Sequence, residues 1–464
     1  MKRYSSVWIL VIFAPLVSVF HGHVPLRAAA ADLPADAEGF LPLFNGKDLS
    51  NWVPMNVHPG TFTVKDGIIV STGKPTGVMR TDRMYENFII ELEWKHHEKG
   101  GNAGLFIWGD GINAPGTPFA RGVEVQILDH GYVELHPSAK GKATGHGDVF
   151  PIHGATMIPD RPHPFGGSRC LPSEERVKPL GEWNHYRVVC NDGVIKLSVN
   201  GKEVSGGKEC NPRKGYICLE SEGALCHFRN IRIKELPSTG AKPEQTARVD
   251  PGYSLLYNGI DLAGWVADDG HKGHWTPKDW TLDYDGKSDA KDKNLWSEKE
   301  YGDFELMVDW RLTGKPKKTD RQVILPTGEV AKNADGTDKM VSVDDAGDSG
   351  VYLRGTSKAQ VNMWCWPIGS GEVYGYRTDP SQPPEVRAGV TPKVVADKKP
   401  GAWNRFIITM KGDRLTVLLN GQTVLENAQL PGVPARGKIA LQHHGDTVQF
   451  ANIWIKELRD SNPK

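Results

Sequence analysis

The chain is written twice. LFNGKDLSNW (43–52) returns as LYNGIDLAGW (256–265), YENFIIELEW (85–94) as YGDFELMVDW (301–310), and GNAGLFIW (101–108) as GDSGVYLR (347–354). GHGDVFPIH (145–153) aligns with GSGEVYGYR (369–377), and GEWNHYRVV (181–189) with GAWNRFIIT (401–409). VNG (199–201) pairs with LNG (419–421), and IRIKEL (231–236) with IWIKEL (453–458). Seven matches in one order mean two copies of one domain, each of about 200 residues, which also suits a length too great for one ordinary core. The copies span 39–236 and 251–458, and the polar, Pro-containing PSTGAKPEQTARVD (237–250) links them.

Each copy reads as all-β. Phe88, Ile90, Leu92 and Trp94 alternate with other side chains, as do Phe304, Leu306, Val308 and Trp310. Tight-turn signals at Asn191-Asp192-Gly193, Asn200-Gly201 and Lys411–Arg414 separate short strands. The 52 Gly and 32 Pro suit a turn-rich β protein. Short strands joined by such turns predict two tandem two-sheet sandwiches or jelly rolls, in which one sheet's outer face can form a ligand groove. The offset between copies rises from 216 at Trp94/Trp310 to 246 at Gly104/Gly350, so the second copy carries 30 extra, mostly polar residues there. A segment of that length reads as a surface loop, functional or mobile.

Residues 1–31 have the three parts of a signal peptide: Lys2 and Arg3, an apolar run from Val7 to Phe20, and a small-residue stretch ending at Ala28–Ala31. Export to the periplasm or the extracellular space is expected, with no membrane span in the mature chain. One or two disulfides are expected among Cys170, Cys190, Cys210, Cys218 and Cys226; their spacing matches no zinc motif. With 56 basic and 56 acidic side chains there is no net field to recruit nucleic acid.

The combination of FNGKDLSNW, GNAGLFIW, GVEVQILD (122–129), GEWNHYRV, LSVNGKEV and FRNIRIKEL resembles the 3-keto-disaccharide hydrolase domain family over nearly all of both copies. The resemblance implies a concanavalin A-like jelly roll and extracytoplasmic processing of a sugar oxidised at C3, with a saccharide or glycoside as partner. It supplies no residue roles.

A ketone at C3 acidifies the C2 proton, so cleavage can run as elimination across C2–C1 followed by hydration. That route needs a base, stabilisation of the enolate oxygen and an acid for the leaving oxygen. Direct hydrolysis instead needs two carboxylates flanking C1. Glu124, Asp148 and His153 are the candidate catalytic groups. Arg121, Gln126 and His146 are candidate substrate contacts in the first copy, as are Arg354, Gln360, Asn362, Trp364, Glu372, Tyr374 and Arg377 in the second. Glu124 and Gln126 share a strand face, whose alternative reading is the wet side of an antiparallel sheet. The second copy replaces Glu124 by Gln360 and Asp129 by Cys365, which favours catalysis in the first and binding in the second; if the essential acid is instead the Asp148/Glu372 position, both copies keep it. No cofactor is identified. Calcium suits a lectin-like sandwich, with DDAGDSG (344–350) the nearest candidate loop. A non-catalytic lectin-like protein is the alternative function, and an adhesive sandwich protein is a third.

Overall fold

Apolar side chains on alternate positions give every long strand one face to bury, and two sheets satisfy both faces of the resulting layer. The structure, a computed structural model, describes residues 35–137 and 146–458; the signal-peptide expectation lies outside the described residues. Among the described residues the regular structure is strand, save for short helical turns such as Tyr132–Leu135, Tyr374–Arg377 and Pro384–Gly389.

The first jelly roll pairs a nine-stranded sheet with a six-stranded one; the second pairs eight strands with five. The larger sheets repeat one strand order. In the first, Lys202–Asn211, Val194–Val199, Asn184–Asn191, Phe88–His96, Cys226–Glu235 and Ile68–Ser71 lie side by side. In the second, Gln422–Gln429, Arg414–Leu419, Asn404–Lys411, Phe304–Leu312, Val448–Glu457 and Thr281–Tyr284 do the same. Local devices repeat too. Trp52 Nε1 donates to Leu43 O, and Trp265 Nε1 to Leu256 O. Asn200 and Asn420 both take positive φ in Asn-Gly hairpin turns. Each jelly roll has its own core, around Ile90, Leu92, Leu105 and Val125 in the first and Leu306, Val308, Val351 and Val361 in the second.

The copies are joined by more than the linker. Residues of the first copy's 110–119 loop meet the face of Phe304–Leu312 turned away from its core. There Ile112 packs with Met307 and Trp454. Arg405 clasps Asp309 through Nε (2.5 Å) and Nη2 (2.7 Å) while its Nη1 donates to Asn113 O. Gly116 N and Asn452 Nδ2 also donate to Asp309 Oδ2, both at 2.8 Å.

Two expectations need correction. All six cysteines carry free thiols. Five of them are buried side chains packed on core strands, and burial raises the thiols of Cys190, Cys210, Cys218 and Cys226 above their ordinary value. The second copy's insertion is an ordered hairpin: Lys317–Gln322 pairs with Met340–Asp345, and Ile324 and Val330 pack against Trp364 and Trp366.

Candidate functional site

Strand register places equivalent side chains in both copies. In the first, Gly104 lies between Gln126 and the row of Glu220, because Ala103 pairs with Ile127 and Leu105 with Leu219. In the second, Gly350 pairs with Asn362 and Val351 with Leu441, so Gln442 stands where Glu220 does. Gly104 and Gly350 leave room on the sheet face turned away from the core, and long side chains converge over them. A Cβ added at Gly104 would lie 2.6 Å from Glu220 Oε2 and 3.2 Å from Glu124 Oε1; at Gly350 it would lie 2.5 Å from Gln360 Nε2.

In the first jelly roll this meeting point is acidic. Glu124 and Glu220 are buried, and Glu222 joins them, accepting 2.6 Å from Asn102 Nδ2. Burial, reinforced by Glu222, pushes the Glu124 carboxyl up to about 8. Burial holds Glu220 far above the carboxylate range, and Glu222 is raised as well. Gln126 Nε2 donates to Asn102 Oδ1 at 2.7 Å, which extends the network. Asp148, fully buried, accepts from Arg169 Nη1 at 2.8 Å. The Glu124/Gln126 face is therefore covered rather than wet.

In the second jelly roll the same point is the floor of an open cleft of about 800 Å³. Gln360 Nε2 donates to Gln442 Oε1 at 2.7 Å, with Asn362 beside them. Asn362 Nδ2 is buried and has no hydrogen-bond partner among the described residues. Trp364 and Trp366 stack 4.4 Å apart at 11° and, with half-exposed Tyr374, form an apolar wall. The inserted hairpin adds Lys317, Thr319 and Arg321 to the lining, with the Arg321 guanidinium over the Trp366 ring. Asp348 and Asp446 complete the lining, with His444 between them: its Nε2 is 4.0 Å from Asp348 and its Nδ1 is 3.6 Å from Asp446. Burial, reinforced by Asp446 and Asp345 against the pull of His444, pushes Asp348 up to about 7.

Several sequence candidates sit elsewhere. Arg121 forks onto Asp110 beside the linker, and His153, near Thr117 and Phe119, shares that strand end with it. Both are about 17 Å along the strand from Gln126 at the ordinary rise per residue. Arg354 is buried at the far end of Ser349–Leu353, held by three backbone carbonyls and Asp303, so it braces loops rather than facing the cleft. Glu372 and Arg377 pair with each other in a buried contact behind Asn362, and burial raises Glu372 to about 7. Gln360, Asn362, Trp364 and Tyr374 do line the cleft. His146 pairs with Glu175 at the end of Gly122–Leu128. In the calcium candidate loop, Asp344 and Asp345 are taken by Lys318 and Arg321 of the hairpin.

The sequence reading missed Glu220, Glu222, Gln442, His444 and Asp446. The repeat held the signal: ICLESEGA (217–224) aligns with IALQHHGD (439–446).

Comparison with known proteins follows the same division. A curated relative, the 3-keto-disaccharide hydrolase of Bacteroides thetaiotaomicron, is 25% identical over 265 residues, covering 46% of this chain and 84% of that protein. Two crystal structures from Parabacteroides distasonis carry a provisional glycosyl hydrolase designation. One is 23% identical (44% of this chain, 99% of that one, TM-score 0.33) and the other 25% (42% and 99%, TM-score 0.31). The profile of the 3-keto-alpha-glucoside-1,2-lyase-like domain matches residues 39–234 and again 252–456. The chain belongs to the 3-keto-alpha-glucoside-1,2-lyase-like domain family, with two copies in tandem.

Proposed function

We propose that the protein is an exported carbohydrate-active enzyme that cleaves the glycosidic bond of 3-keto-glycosides, seating the sugar in the second jelly roll's cleft. One observation carries this reading: an amide floor, an aromatic wall and the Asp348–His444–Asp446 group line a single cavity large enough for a disaccharide. Amides suit sugar hydroxyls, and indole faces suit the apolar face of a pyranose. Asp348, with its side chain 23% exposed, reaches the cleft, and a carboxyl poised near neutrality is matched to proton transfer. As base it takes the C2 proton; the C1–O bond breaks as the C1=C2 double bond forms in conjugation with the C3 ketone. His444 delivers a proton to the departing oxygen; water then adds across the double bond, its hydroxyl to C1 as Asp348 returns the proton to C2, and the proton that water gives up restores His444.

A second reading places the chemistry at Glu124. Its support is the buried carboxyl cluster with Glu220 and Glu222, where neighbouring acids hold a proton near neutral pH. Turnover of a 3-keto-disaccharide by the wild type, Asp348→Asn and Glu124→Gln separates the readings. Loss in the first variant alone supports the cleft, and loss in the second alone supports the acid cluster. Saturable binding without turnover in the wild type would leave the lectin-like alternative.

A further inference from the structure

Beyond Leu128 the first jelly roll brings His130, His146 and Glu175 together, with their three ligand atoms all within 4.8 Å of one another. His146 Nε2 lies 3.1 Å and His130 Nδ1 2.5 Å from Glu175 Oε1. The other nitrogen of each ring is already committed. His146 Nδ1 meets Leu128 O, and His130 Nε2 meets Val177 O at 3.1 Å. A carbonyl only accepts, so each ring spends an N–H there. In the neutral rings the remaining nitrogens are lone pairs, and both are aimed at a carboxylate oxygen. Three electron-rich atoms in one place repel unless a cation lies among them.

The other copy provides a control. Register and matching hydrogen bonds place Trp366 at the position of His130, Ser370 at that of His146 and Val395 at that of Glu175. Gly371 N bonds Asn362 O as Gly147 N bonds Gln126 O, and Ala396 O accepts from Asn420 as Arg176 O does from Asn200. Ser370 Oγ even keeps the bond to Trp364 O that His146 makes to Leu128 O. The same fold therefore stands without any of the three ligands.

We propose that His130, His146 and Glu175 form a binding site for a divalent transition metal such as zinc. Two imidazoles and a carboxylate suit zinc, cobalt or nickel better than calcium, and backbone carbonyls fixing the far ring nitrogens are the usual second layer of such sites. Tetrahedral ligands at zinc distances stand about 3.3 Å apart, close to the 3.1 Å between His146 Nε2 and Glu175 Oε1, and the exposed Glu175 side chain has room to draw back from the 2.5 Å it keeps to His130 Nδ1. Three protein ligands leave a fourth position open.

Calorimetric titration of the chelator-stripped protein with zinc, and the visible spectrum with cobalt, test the assignment. One zinc per chain is expected at this site, with a tetrahedral cobalt spectrum. His146→Ala and His130→Ala should each weaken zinc binding about 10–100-fold or abolish it. Glu175→Gln, at an exposed position that leaves the fold alone, should weaken it measurably. A protein that takes up no stoichiometric zinc, or whose zinc survives all three substitutions, overturns the proposal.

Discussion

Gln360 Nε2 donates to Gln442 Oε1 across Gly350, and the first jelly roll holds Glu124 and Glu220 in the same two positions across Gly104. Two amides in contact are complementary, donor to acceptor, at any pH. Two buried carboxyls cannot both ionise at that separation, so the pair keeps a proton. One backbone thus presents a neutral, hydrogen-bonding floor in one copy and a proton store in the other.

This difference predicts an asymmetric response to pH. Glu124 moves from an ordinary 4.5 to about 8 in the folded protein. Between those values the folded state binds more protons than the unfolded state, so its stability falls as pH rises. The contribution is intact below 4.5 and lost above about 8. Thermal unfolding from pH 5 to 9 should show Tm declining in the wild type and a flatter profile in Glu124→Gln. The variant should be the more stable protein at the alkaline end. Equal slopes would mean that Glu124 is not held protonated.

A second pH dependence belongs to the cleft. Asp348 stands at about 7, so as the base for C2 it is competent only above that value. The rising limb of kcat/KM on a 3-keto-disaccharide should have its inflection at about pH 7. Asp348→Asn should remove that inflection and cost about 10²–10⁴-fold in rate. Binding of the substrate should survive, because the amide floor and the tryptophans are untouched.

How much of this was legible in the sequence differs by scale. The repeat, the alternating strands and the Asn-Gly turns were readable because they are local and periodic. The pairing of Glu124 with Glu220 was not, since it depends on which strand lies beside Asn102–Gly109, and these strands are about 90 residues apart in sequence. Arg354 looked like a cleft residue by alignment with Trp108, but a strand position does not say which end of the sheet carries the site. The insertion's polar composition hid its role, because the hairpin is held by a few apolar residues, Ile324 and Val330, on the tryptophan pair.

The junction between the copies makes a stability prediction. Asp309 is fully buried and receives Arg405, Gly116 N and Asn452. Removing its carboxylate strands the Arg405 guanidinium away from water and breaks contacts on both jelly rolls. Asp309→Ala should cost about 3–5 kcal/mol, read as a lower guanidinium midpoint. Breaking a surface ion pair such as Lys272–Asp269, which water screens, should leave the midpoint where it is.

The inserted hairpin can be removed without cutting a main sheet. Its strands pair only with each other, and the chain ends beside it almost touch: a Cβ added at Gly314 would run into Ala346 O. Few of its apolar side chains are buried, Ile324 and Ala331 among them, while Met340 and Val341 are exposed. Replacing residues 316–345 by a short turn should therefore leave both cores intact and lower Tm only slightly. The cleft would lose Lys317, Thr319, Arg321 and Asp345 from its lining, and Trp366 would lose its cationic neighbour. Calorimetric titration with a 3-keto-disaccharide should then show affinity falling at least about tenfold, roughly 1.4 kcal/mol. If the hairpin were only a surface elaboration, affinity would be unchanged, and the cleft would have to bind its sugar by the Gln360–Gln442 floor and tryptophans alone.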